Sequence, residues 1–107
     1  EWNRISDEYS VPYYPHVTIG WDNNPRYNHL TLPIMKNNTP GNFRKCLEMA
    51  KKYSDEHNEV PLITVNSWNE WTEMSYLEPD DILGYGYLEA VRDVFLENNG
   101  EEFTPEF

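Results

Sequence analysis

The chain has 107 residues, 38% of them hydrophobic and 15% aromatic, with nineteen acidic against eight basic side chains for a net charge of -11. That length suffices for one small globular domain, and the charge excludes nucleic acid and anionic membrane surfaces as partners, because gripping phosphates takes clustered Lys and Arg. A single cysteine rules out an internal disulfide, no Cys/His pair has zinc-ligand spacing, and no run approaches the roughly 20 apolar residues of a membrane span.

The N-terminus, Glu1-Trp2-Asn3-Arg4, lacks the charged start and apolar middle of a secretion signal. With no initiator Met it reads as a mature piece or a fragment, and the compartment stays open. Trp2, Ile5 and Tyr9 fall at spacings of three and four, as in the last turns of a helix, which Val11-Pro12-Tyr13-Tyr14-Pro15 then breaks. Residues 14–21, YPHVTIGW, are short, β-branched and aromatic, which predicts a strand. A polar loop containing Asn23-Asn24-Pro25-Arg26 follows.

Thr39 is a good helix N-cap, Pro40 suits the first helical position, and Phe43, Cys46, Leu47, Ala50 and Tyr53 recur at helical spacing, so a helix is expected over residues 40–57. Cys46 on that stripe reads as a small buried hydrophobe, and Lys45, Lys51 and Lys52 as the solvated face. Residues 60–68 form a nearly continuous apolar run without alternation, as in a parallel strand covered on both faces. After a loop over residues 69–83, Tyr87, Leu88, Val91, Val94 and Phe95 predict a second amphipathic helix that stops before Asn98-Asn99-Gly100. Residues 101–107 are an acidic, peripheral tail.

Strand, long loop and helix thus occur twice, which predicts an α/β fold: the βα units of a (β/α)8 TIM-type barrel, whose active-site loops follow the C-terminal ends of its strands. A whole barrel takes about 250 residues. Residues 1–107 therefore read as a single partial domain, whose edges the remainder of a barrel or other chains must cover.

The stretch Ser67-Trp68-Asn69-Glu70-Trp71-Thr72-Glu73 places two carboxylates and two indoles directly after the second strand. Glu70 and Glu73, three apart, are close enough in a turn to point into one cavity, and glycoside cleavage needs such a pair. Trp68 and Trp71 suit a sugar because their rings stack on a pyranose, and they can desolvate a neighbouring carboxyl and so raise its pKa. The plainer alternative is two ordinary loop acids beside core tryptophans. Asp22 and Arg26 follow the first strand, either gripping sugar hydroxyls or forming a salt-bridged loop clip. Glu78-Pro79 either closes the loop under Glu73 or touches substrate. Among the histidines, which share no spacing, His16 reads as a satisfied core residue and His57 as belonging to the last turn of its helix.

Three runs, WDNNPR (21–26), SWNEWTEMSYLEPD (67–80) and GYGYLEAV (84–91), resemble in order and spacing the C-terminal part of glycoside hydrolase family 99 and its WbsX-like relatives. The resemblance implies a (β/α)8 barrel that cleaves α-mannosidic linkages within a glycan with retention, using no metal or other cofactor. It implies that Glu70 acts as a base on the substrate's own 2-hydroxyl, giving a 1,2-anhydro sugar, and that Glu73 serves as acid and then base. Trp21, Asp22, Arg26, Trp68, Asn69, Trp71 and Glu78 are then the residues expected to hold an oligosaccharide or polysaccharide. Where the family has Gly after the second Glu, this chain has Met74, which gives up backbone freedom and adds a flexible side chain beside the acid. WbsX-like relatives also carry a glycosyltransferase label, so a polysaccharide-biosynthesis glycosyltransferase-like protein is one alternative. A non-catalytic glycan-binding module is another, although a lectin has little use for two juxtaposed carboxylates.

Overall fold

The computed structural model describes residues 1–96. The elements run α1 (Trp2–Glu8), β1 (His16–Thr18), a 3-10 turn (Asn24–Arg26), α2 (Pro40–His57), β2 (Thr64–Asn66), β3 (Asn69–Glu70), a second 3-10 turn (Trp71–Glu73), β4 (Ser75–Tyr76) and α3 (Gly86–Phe95). β1 and β2 pair in parallel with His16, Val17 and Thr18 opposite Thr64, Val65 and Asn66, and α2 is the crossover between them. β3 and β4 form a short antiparallel hairpin just past β2.

The α2 boundaries follow from local chemistry. Thr39 is extended, its hydroxyl oxygen accepts a bond from the Asn42 amide at 3.2 Å, and Pro40 fills the first helical position, where no amide hydrogen is missed. The helix buries Phe43, Leu47, Ala50, Tyr53 and Ser54, and packs against α3 and β1. Val17, Ile19, Phe43, Leu47, Ala50, Tyr87 and Ala90 make the core, with Trp2, Ile63, Val65, Leu77, Val91 and Val94 packed around it. Full burial of a side chain such as Leu47 contributes about 2 kcal/mol.

Both strands are shorter than the sequence predicts. Pro15 has no amide to donate, so pairing begins with its carbonyl accepting from Thr64, and it ends where Ile19 donates to Asn66 just before Gly20. Pro61 cuts the second strand in the same way, and the Leu62 amide is taken instead by the Ser54 hydroxyl at 3.1 Å. The expectation that residues 60–68 are covered on both faces is corrected: Val60, Leu62 and Thr64 are exposed, because only the face towards α2 is packed by described residues. For the same reason His16 is exposed rather than in the core, although its Nδ1 is satisfied by the Thr64 hydroxyl at 2.8 Å.

Cys46 is also corrected, from buried to exposed. The buried stripe runs through Phe43, Leu47, Ala50 and Ser54, at steps of four, three and four, and Cys46 lies on its flank. Of the lysines, Lys45 and Lys52 are exposed, while Lys51 is half-buried and paired to Asp55 at 2.7 Å. His57 does sit in the last turn of α2, stacked on Tyr53 at 4.2 Å. The expected stop at Asn98-Asn99-Gly100 and the tail over 101–107 lie outside the described residues; α3 ends at Phe95.

Candidate active site

The site forms where the chain leaves β1 and β2 at adjacent C-terminal ends. Gly20 lets the two exits come together: a Cβ there would lie 2.7 Å from the Met74 carbonyl oxygen and 2.9 Å from Asn38 Nδ2, closer than real Cβ contacts allow. Two residues later the Asp22 amide donates to the Glu73 carbonyl at 2.9 Å, so the first loop is tied to the backbone of the second. The second loop is in turn fastened to its own strand. Ser67 donates to the Ser75 carbonyl, and Ser75, which is fully buried, donates to the Asn66 carbonyl, both at 2.9 Å.

That frame carries a four-residue polar network. The Arg26 Nε donates to the Thr72 hydroxyl oxygen at 2.8 Å, and one terminal guanidinium nitrogen lies 3.1 Å from Glu70 Oε1 and 3.3 Å from Glu73 Oε1. Thr72 then donates to Glu70 Oε1 at 2.6 Å. A single cation therefore lies within ion-pair distance of both acids. Glu73 is the more enclosed, its side chain 19% exposed against 41% for Glu70. The Thr72 hydroxyl first, and the Arg26 guanidinium second, hold the Glu70 carboxyl below the usual carboxylate range. For Glu70 this is opposite to the desolvation that flanking indoles were expected to impose.

Beside the acids stands an aromatic platform. The Trp71 ring stacks on Tyr76 with centroids 3.9 Å apart, and its Nε1 donates to Glu78 Oε2 at 3.0 Å. Tyr76 donates to Asp80 Oδ2 at 2.7 Å, and Asp80 also accepts from the Ile82 and Leu83 amides. With one ring face covered by Tyr76, Trp71 remains 42% exposed, which leaves surface for a ligand to stack on.

The predicted residues thus separate into groups. Arg26, Glu70 and Glu73 come together in one network, and Trp71 and Glu78 in another. Glu78 closes the loop under Trp71 rather than under Glu73. Asp22 forms no ion pair with Arg26 among the described residues; its carboxylate accepts from the Asn24 amide and side chain at 2.9 and 2.6 Å and shapes the first loop. Trp21, Trp68 and Asn69 are exposed beside these networks but not bonded into them through their side chains. Sequence reasoning did not single out Thr72, Ser75, Tyr76 or Gly20. For Thr72 the signal was present, a hydroxyl lying between two carboxylates in sequence, whereas Gly20 matters only because two distant segments meet.

Met74 takes the left-handed conformation, at φ 50° and ψ 36°, directly after Glu73. That is the conformation glycine adopts without penalty, and it accounts for the sequence pattern in which Gly is expected there.

A family model described as "Glycosyltransferase WbsX" matches residues 2–91. Two similar curated proteins, each described as "Uncharacterized protein WxcX" from strains of Xanthomonas campestris pv. campestris, are 36% identical over 81 residues. That alignment covers 74% of this chain and 12% of each relative, so the chain corresponds to a small part of their length. No solved structure matches. A parallel βαβ unit with an acid pair and an aromatic platform at its strand ends suits a carbohydrate-related protein. The chain belongs to the WbsX glycosyltransferase-like family.

Proposed function

We propose that these residues are the C-terminal βα portion of a carbohydrate-active (β/α)8 barrel and carry its catalytic carboxylates, Glu70 and Glu73. The observation that carries this reading is the shared Arg26 nitrogen, 3.1 Å from one acid and 3.3 Å from the other.

The reaction is cleavage within an α-mannan-like glycan by neighbouring-group participation. Glu70, held ionised by Thr72 and Arg26, takes the proton of the substrate 2-hydroxyl. The freed oxygen attacks C1 and the glycosidic C1–O bond breaks. Glu73, the more enclosed acid, protonates the departing oxygen, and a 1,2-anhydro sugar is left. Glu73 then deprotonates a water that opens the anhydro ring at C1, and the 2-oxygen recovers a proton from Glu70. Trp71 supplies a stacking surface for a sugar ring, and Trp21 and Trp68 extend it. Asn69 and Asp22 remain candidates for hydroxyl contacts at the rim.

A second reading is supported by the family description, which names a glycosyltransferase. The same steps then end with a sugar hydroxyl in place of water, with Glu73 deprotonating it.

The test is to express the full-length polypeptide containing this chain and assay it on a panel of α-mannans and bacterial glycans beside E70Q and E73Q. Loss of turnover by about three orders of magnitude or more in both variants is expected. Retention of the anomeric form in the product tests the neighbouring-group course, and whether C1 passes to water or to an added acceptor sugar separates hydrolysis from transfer. Wild-type activity in either variant overturns the assignment.

A further inference from the structure

We propose that Thr72 is a positioning residue that gives the two oxygens of Glu70 different tasks: Oε1 is anchored, and Oε2 receives the substrate proton. The inference rests on Glu70 being the base and goes beyond it, since the sequence motif gives Thr72 no role.

The argument is one of donors and acceptors. A threonine hydroxyl has one hydrogen and two lone pairs, whereas an arginine Nε–H can only donate. Because Arg26 Nε donates to Thr72 at 2.8 Å, that contact occupies a lone pair and leaves the hydroxyl hydrogen unused. The hydrogen is therefore directed to Glu70 Oε1, 2.6 Å away. The same Oε1 accepts from the Arg26 terminal nitrogen at 3.1 Å. Among the described residues, all of the hydrogen bonds to Glu70 converge on Oε1, so its capacity is committed and Oε2 is the oxygen open to a ligand. Arg26 thus reaches Glu70 by two routes, one direct and one relayed through Thr72, and the relay fixes the carboxylate's rotation as well as its charge.

The depressed Glu70 pKa, with Thr72 as its first cause, agrees with this arrangement. The charged groups that face Glu70 from neighbouring elements are Arg26 and Glu73, and Thr72→Ser keeps the hydroxyl that anchors Arg26 while Thr72→Val removes it.

The experiment compares Thr72→Val, which keeps the shape but loses the hydroxyl, with Thr72→Ser, which keeps the hydroxyl, in the full-length polypeptide. The acid limb of kcat/KM is expected to move up by about 0.5–1 pH unit in T72V, the size of one lost hydrogen bond, and to return in T72S. A merely structural role would lower the rate without moving the limb. The same titration is read without turnover by isotope-edited infrared spectroscopy of glutamate carboxylates, with Glu70 isolated by subtracting the E70Q spectrum. An unmoved Glu70 titration in T72V, or an equal shift in T72S, overturns the proposal for Thr72. Activity surviving in E70Q overturns the reading of Glu70 as the base, while the infrared arm still decides whether Thr72 sets its ionisation.

Discussion

At the scale of single residues, the sequence drew attention to Glu70 and Glu73 through two acids and two indoles at a strand end, a pattern that also fits ordinary loop acids beside core tryptophans. It could not show which cation serves them, because Arg26 and Glu70 meet only through the fold. The reading of Cys46 failed for a related reason: helical spacing locates a stripe but not its centre, and a small residue on the flank is left outside when its larger neighbours pack. Met74 shows what a single departure from a family pattern means physically. Holding a side chain at φ 50° costs about 1–2 kcal/mol, against about 0.5–1 kcal/mol for the extra freedom glycine loses on folding. Met74→Gly should therefore raise stability by about 0.5–1 kcal/mol, measured by chemical denaturation of the full-length polypeptide. A loss of stability would mean that the half-exposed methionine side chain contributes more by packing than its backbone loses.

At the scale of elements, helices were easier to read than strands. α2 was legible end to end because a cap, an N-terminal proline and a periodic apolar face all reported the same boundaries. The β3–β4 hairpin was not, since its two-residue strands are held by Ser67, Ser75 and the Trp71–Tyr76 stack rather than by alternation. Tyr76 is central to that hairpin. Its phenol is pushed up to about 12, first by burial and then by its bond to Asp80. A folded value above the unfolded value of about 10 means that the stabilisation is complete below pH 10 and is lost as pH rises through 12. Tyr76→Phe should cost about 1 kcal/mol at neutral pH through the lost Asp80 bond. It should also flatten the alkaline fall in stability, followed by urea unfolding between pH 9 and about 11.5. An unchanged alkaline slope would show that Tyr87, also raised by burial, is the group that matters.

At the scale of the whole molecule, the described chain is a slab 44 × 40 × 19 Å, thick enough for one sheet and one layer of helices. Its radius of gyration is 16.0 Å, against about 13 Å for a compact chain of this length. The β1–β2 pair has no further strands beside it among the described residues, and Val11, Leu30, Leu32, Val60 and Ile82 stand exposed. The sequence led to an expectation of cover on both faces of the second strand, because its apolar run does not alternate, and the described residues supply that cover on one face. Residues 1–107 expressed alone should self-associate or melt without a sharp transition, checked by size-exclusion chromatography with light scattering and by calorimetry. A monodisperse monomer with a cooperative transition would overturn that view.

The Arg26–Glu70 contact bridges 44 positions of sequence, and it closes only after α2 has carried the chain across to β2. During synthesis Arg26 leaves the ribosome well before either acid, and the acids then emerge with no counter-ion beside them. Local helices can form early, but the carboxylate pair acquires its charge balance late, with the pairing of distant strands. A nascent or partly unfolded copy thus holds two mutually repelling anions rather than a loosened version of the folded network. The paired arrangement of Arg26 with both acids therefore arises only with completed folding, and, on the proposed function, sugar binding would serve as a reporter of chains that have finished it.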